Sequence, residues 1–366
     1  MRRALALLLL VLAVVPAIAA GLRYPQFPPL APPPVDPTNP PTRAKRMLSV
    51  QLFFDTRLST SGATACVNCH VYNTQFQDNL EKPRPDTSQG GDFFTLPFNT
   101  ESLINIVYRP FFFRDGRLQD LGHAMTEPWI EDNQQLGKTR PEAATHLATI
   151  LRGKPGYVDG FRRAFGKDIR SLGDEEVFDL AGKAFAILVR QIRTKASPFD
   201  RWNARQGKIP EAAVRGVALF TGKAHCVLCH TGPNFTDNSF HNVSTSLPDA
   251  NGNRPDEGRA RVTGLAADGG KFLTPSLRQV TLTSPYFHDG SAFGLLDVLN
   301  HLDAGAGEDP NHDPVVGTPL GLTDGEKADI SAFLHTLRSP SIVLRSPTGD
   351  LCTDADVAAL RAHLPN

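Results

Sequence analysis

Cys66-Val67-Asn68-Cys69-His70 and Cys226-Val227-Leu228-Cys229-His230 are two C-x-x-C-H motifs on one chain of 366 residues. Paired thiols at this spacing can add across the vinyl groups of a haem as thioethers, and the adjacent His can then ligate the iron. A single copy is also open to a redox dithiol or to half of a zinc site. Two copies behind an export leader favour haem, with His70 and His230 as iron ligands. That use leaves Cys352 as the remaining cysteine.

The elements that must position these motifs show up as an internal repeat. Thr100-Glu101-Ser102-Leu103 and Phe113-Arg114-Asp115-Gly116 follow the first motif. Thr274-Pro275-Ser276-Leu277 and Phe287-His288-Asp289-Gly290 follow the second in the same register. Leu52-Phe53 and Leu219-Phe220 precede the motifs, and Phe76-x-Asp78 and Phe235-x-Asp237 come after them. The same order in both halves predicts two related units, each centred on one haem. Helical periodicity surrounds both. Val177, Leu180, Ala184, Ile187, Leu188 and Ile192 form an apolar stripe on a helix expected to be capped by Asp174. Pro210 opens a helix through Leu219 and Phe220, and Thr323-Asp324-Gly325-Glu326 is a capping box. Strand signals are weak. The expected fold is mainly α, with two cytochrome c-like domains that each bind one covalent c-type haem.

Arg2, Arg3, an apolar run over residues 5–15 and Ala17-Ile18-Ala19 read as a signal peptide over residues 1–19. The run is shorter than the ~20 residues a membrane span needs, and no other stretch qualifies. The mature chain is therefore expected in the periplasm, with no membrane span after cleavage. Residues 20–42 are crowded with proline, which excludes helix and central strand and leaves a surface arm or a disordered leader. An N-terminal haem domain is expected over residues 43–205, a C-terminal one over 206–345, and a tail over 346–366. Lys plus Arg equals Asp plus Glu at 38 each, so no basic excess points to nucleic acid or anionic lipid.

Leu52-Phe53-Phe54-Asp55-x-Arg57-Leu58, Asn99-Thr100-x-Ser102-Leu103, Asp115-Gly116-Arg117 and Pro285-Tyr286-Phe287-His288-Asp289-Gly290-Ser291 carry a further signal. In this combination the chain resembles the bacterial dihaem cytochrome c peroxidase and MauG family, which includes methanobactin-associated dihaem enzymes. The resemblance implies a peroxide-reacting haem on His70 and an electron-transfer haem on His230. It also implies a calcium ion between the domains, on the side-chain carbonyl of Asn99 and the backbone carbonyls of Thr283 and Pro285. Oxygen-only ligands suit such a hard cation.

The departures from the family pattern fall on the chemistry. Arg114 stands where the family has Trp between the haems; it cannot relay a radical but can neutralise haem propionates. The family's distal Glu falls on Gln134, with Gln135 as the one-residue slip, and its distal Gln falls on Ala124 beside His123. Splitting a peroxide bond needs a proton acceptor that returns the proton to the leaving oxygen, which Gln cannot do and His123 could. The C-terminal haem's sixth-ligand position falls on Leu302, leaving His301 or an open iron. Three functions fit: a periplasmic peroxidase reducing hydrogen peroxide with electrons from a small cytochrome c or copper protein, a MauG-like oxidase of a protein substrate, or a dihaem electron carrier.

Overall fold

The computed structural model describes residues 22–83, 98–130, 136–305, 309–339 and 342–343. The segment expected to be a signal peptide, Gln134, Gln135 and the tail with Cys352 lie outside them. Among the described residues no helix is long and apolar enough to cross a membrane.

Helices α1 (Arg43–Phe54), α2 (Cys66–Cys69), α3 (Leu121–Thr126), α4 (Arg140–Arg152), α5 (Pro155–Phe165) and α6 (Asp174–Val189) enclose a first core. Thr42 begins α1 by accepting from Lys45 N, and Asp120 begins α3 by accepting from His123 N. The stripe on α6 is buried as its periodicity requires, with Val177, Ala181 and Ala184 fully covered. Its cap, however, is Gly173 and not Asp174. Asp174 sits one residue inside the helix, where its carboxylate takes Arg152 and Thr145. Gly182 on α6 lies so close to α3 that a Cβ would overlap the Gly122 carbonyl oxygen, and this contact fixes α3 against the core.

A second core is built from α7 (Pro198–Asn203), α8 (Glu211–Thr221), α10 (Leu295–Ala304) and α11 (Asp324–His335), with the one-turn α9 (Ala260–Thr263) outside it. The capping box on Thr323 and Glu326 is present at α11. Phe199 and Trp202 on α7 belong to this core, so core membership changes between Ile192 and Phe199, short of the expected boundary at 205. The strands are two residues each. β1 (Arg193–Thr194) pairs antiparallel with β4 (Ile342–Val343), and β2 (Phe240–His241) with β3 (Phe272–Leu273).

The proline-rich segment is an anchored strap. Phe27 is buried in the second core, stacked on Phe235 at 4.7 Å, and Arg23 N donates to Asn203 O. At its other end Asn39 donates to the Lys183 carbonyl on α6.

Candidate haem sites and the junction between the halves

The repeat is written into the backbone. Left-handed φ at a non-glycine residue is uncommon, yet it occurs at Phe76 and Phe235, Asn79 and Asn238, Asn105 and Gln279, and Phe113 and Phe287. Glycines take it at Gly116 and Gly290. The turns carrying Asp115 and Asp289 are closed by the same bridge, Phe112 with Leu118 and Tyr286 with Ala292.

These turns serve the two histidines. His70 Nδ1 is 3.0 Å from the Phe76 carbonyl and His230 Nδ1 is 3.0 Å from the Phe235 carbonyl. The carbonyl holds a proton on Nδ1 and leaves the Nε2 lone pair for a metal. Ser102 Oγ donates to Gln75 O at 2.6 Å, and Ser276 Oγ donates to Asn234 O at 2.6 Å, so a serine pins each turn. Burial lowers the pKa of both rings, which keeps them neutral as ligation requires. Burial pushes the thiols of Cys66, Cys69 and Cys226 up to about 12. Thiols held protonated in apolar surroundings are poor redox nucleophiles, which argues against the dithiol alternative.

Cys66, Cys69 and His70 open on a cavity walled by Phe53, Phe112 and Phe185. Arg109 and Arg114 reach the same cavity, and the Nε of each is buried with no hydrogen-bond partner. Unpaired buried guanidinium donors are costly, and the carboxylates of a haem would satisfy them. The residues fit that group. Glu101 lines the cavity too; burial works against its carboxylate, but Arg109, Arg114 and Arg117 outweigh this and hold it below the usual range. In the second half, Phe220 lies 6.5 Å from the His230 ring, and Cys226, Val280, Leu295 and Leu320 pack on the core. Beside Cys229, His241 is clamped between Asp313 (2.5 Å) and Asp237 (2.8 Å).

The other expected residues fare differently. Ala124, Met125 and Pro128 line the first cavity, whereas His123 does not. Neighbours on a helix diverge by roughly 100°, so burying Leu121 and Ala124 turns His123 outward. Its side chain is 55% exposed and nearest Asp179. His301 Nε2 is 2.7 Å from the Val243 carbonyl, which occupies that nitrogen, and Leu302 beside it is half-buried. Asn99, Thr283, Pro285 and Arg114 do meet in a second cavity. Arg109, Glu101 and the pinning role of the serines were missed; the recurrence of Ser102 and Ser276 was the available signal.

At this junction the halves exchange equivalent bonds. Asn99 N donates to His288 O at 2.9 Å, and Leu273 N donates to Arg114 O at 2.8 Å. In the register that aligns Thr100 with Thr274, Asn99 matches Leu273 and Arg114 matches His288, so the contact is a local pseudo-two-fold.

Comparison with known proteins agrees with this geometry. A family profile described as di-haem cytochrome c peroxidase matches residues 43–208. The chain is 32% identical to the methylamine utilization protein MauG of Methylorubrum extorquens, over 84% of this chain and 82% of that one. It is also 32% identical to the cytochrome-c peroxidase IdrP1 of Denitromonas iodatirespirans, over 88% of each. Among solved structures, a MauG-like protein associated with microbial copper homeostasis superposes with TM-score 0.73 at 26% identity, covering 87% of this chain and 95% of that one. The diheme peroxidase BthA of Burkholderia thailandensis shares the fold, with TM-score 0.68 at 21% identity over 86% and 91%. Two haem-site motifs in a duplicated helical frame, with relatives of this similarity and coverage, place the chain in the di-haem cytochrome c peroxidase and MauG family, as a peroxidase-type oxidoreductase.

Proposed function

We propose that this is a periplasmic enzyme that reduces hydrogen peroxide at the haem held by Cys66, Cys69 and His70 and takes electrons through the haem held by Cys226, Cys229 and His230. Both haems would be attached through thioethers. The leader over residues 1–19 and the two C-x-x-C-H motifs support export, with the thiols meeting haem after translocation. Haem iron supplies the redox chemistry, in which peroxide accepts two electrons and two protons to give two waters. The chain would hold the haem through His70, itself oriented by the Phe76 carbonyl, would offer Arg109 and Arg114 to its carboxylates, and would exclude water with Phe53, Phe112 and Phe185.

The observation that carries the reading is that His70 is the sole imidazole among the described residues lining the first cavity, while α3 presents the methyl group of Ala124. A pocket of that kind leaves room for a small ligand opposite His70. The electron donor would be a small cytochrome or copper protein. A MauG-like oxidation of a protein substrate is a second reading, supported by the identity to a protein of that name.

Peroxide titration of the oxidised protein, followed by absorption and EPR, tests this. Expected is a stoichiometric spectral change assigned to the N-terminal haem, and two haems that survive acid-acetone extraction. A six-coordinate N-terminal iron inert to peroxide, with the far-red band of a thioether ligand from Met125, would replace the enzyme by an electron carrier.

A further inference from the structure

The junction between the halves carries its own cation. We propose that the Arg114 guanidinium occupies the place of a bound calcium ion, so that this chain joins its two haem units without metal. Family membership supplies the expectation of calcium; the atoms at the site do not fit it.

Asn99 is 5% exposed, and each polar atom of its amide is engaged. Its Nδ2 donates to Pro285 O at 3.3 Å and to Leu80 O at 3.1 Å. Two carbonyl acceptors on one side identify that atom as nitrogen and turn Oδ1 the other way. There Arg114 Nη2 donates to Asn99 Oδ1 at 3.0 Å and to Asn99 O at 3.2 Å. One guanidinium nitrogen thus bridges two carbonyl oxygens of one residue, much as a cation would. Of the three oxygens expected to hold calcium, those of Asn99 and Pro285 already accept N–H donors. None of the three belongs to a carboxylate. Calcium takes six to eight oxygens at about 2.4 Å. To reach Asn99 Oδ1 it would have to displace, or sit against, a fixed positive charge.

Arg114 is well placed for this use. The Leu273 N–H holds its carbonyl from the other half, and Phe113 before it takes the left-handed turn that aims the side chain inward. Arg114 lines both cavities, so a single residue connects the haem pocket with the junction. Calcium can be removed by a chelator or by acid, whereas guanidinium stays protonated across the physiological range. Coupling between the halves would then be insensitive to the free calcium outside the cytoplasm.

The test uses the purified dihaem protein and calcium itself. After equilibration in 1 mM calcium and desalting, wild type is expected to hold well under 0.1 calcium per chain. Its haem spectra and melting temperature should be the same in calcium and in EGTA. Arg114→Met frees Asn99 Oδ1, and should either bind calcium with a calcium-dependent rise in melting temperature or recover wild-type spectra with millimolar guanidinium ion. Should Arg114→Met not fold, Arg114→Lys keeps the charge and must remain calcium-independent. One tightly held calcium per wild-type chain, with EGTA-sensitive spectra, overturns the proposal whether or not the protein reacts with peroxide. So does an Arg114→Met protein indifferent to both cations.

Discussion

Arg278 is the most informative side chain to remove from the second half. Its guanidinium makes a two-pronged contact with Asp200, at 2.8 and 3.0 Å, and the two side chains are only 1% and 7% exposed. Its Nε donates to Pro233 O at 2.7 Å, three residues after His230. Asp200 also accepts from Ser197 in the capping box of α7. Removing one partner of a buried, hydrogen-bonded pair strands the other charge and typically costs about 3–5 kcal/mol. For a protein of this size that corresponds to a fall in melting temperature of roughly 10 °C, at about 2–4 °C per kcal/mol. Arg278→Met is the appropriate variant because it keeps most of the volume over Phe235. The assay is thermal unfolding of the dihaem protein, followed together by far-UV circular dichroism and Soret absorbance. A spectral change confined to the C-terminal haem should accompany the shift, since the loop held through Pro233 carries His230. Burial opposes ionisation of Asp200, but Arg278 outweighs it and holds the carboxyl below its usual range. A depressed carboxyl contributes stability above its unfolded pKa of about 4 and loses it as pH falls through the folded value. The gap between wild type and variant should therefore close in acid. The reasoning is wrong if Arg278→Met melts within about 3 °C of wild type at pH 7, or if the gap does not shrink as pH falls below about 4.

Two further outcomes follow from packing and charge. Gly216 on α8 faces α11 so closely that a Cβ would overlap the Asp329 carbonyl oxygen; Gly216→Ala should lose about 1–3 kcal/mol despite its better helix propensity, while Gly156→Ala on α5, which meets nothing within 4 Å, should be neutral or slightly stabilising in denaturant titrations. With the Cys229 sulfur taken up as a thioether, Asp313 and Asp237, at 2.5 and 2.8 Å, remain to raise His241 above its usual value against burial. A raised histidine contributes its full stability below about 6.5 and loses it as pH rises through its folded value. Wild type should weaken between pH 7 and 10, and His241→Gln, measured by the same melts, should flatten that slope.

Much of this was legible in the residues because it is local. The C-x-x-C-H spacing, the Thr323 capping box and the stripe of α6 each depend on neighbours within about two helical turns. The repeat was legible too, since turns that force Phe113, Phe287, Gly116 and Gly290 to left-handed φ restrict the residues around them. What escaped was set by distance or by direction. Proline density described the strap's backbone but not the pocket among Phe199, Phe220 and Phe235 that buries Phe27. His123 and Ala124 are adjacent in sequence, and the burial of Leu121 and Ala124, with Gly122 pressed on α6, decides that the histidine faces solvent. Arg114 was legible as a missing Trp, but its bond to Asn99 joins two turns of the first half fifteen residues apart and left no trace in the spacing.

The pseudo-two-fold contact explains why that one exchange reaches beyond its own turn. Equivalent backbone bonds, from Asn99 to His288 and from Leu273 to Arg114, fix the two halves in a symmetric register. The side chains on that register then differ. His288 stacks on Phe272 at 4.0 Å, and burial drives its pKa down to about 4, so it is neutral. Arg114, its counterpart, carries a permanent charge into the cavity beside His70 and into the junction. Each residue faces the partner half by virtue of the exchanged bonds, so the charge difference lies between the haem units and not on an outer surface. A duplicated backbone with unlike residues at its matched positions gives unlike electrostatics at two otherwise similar histidine sites. On the proposed reading, a positive charge fixed there would favour the reduced state of the nearer iron more than that of the farther one, which suits haems given different tasks.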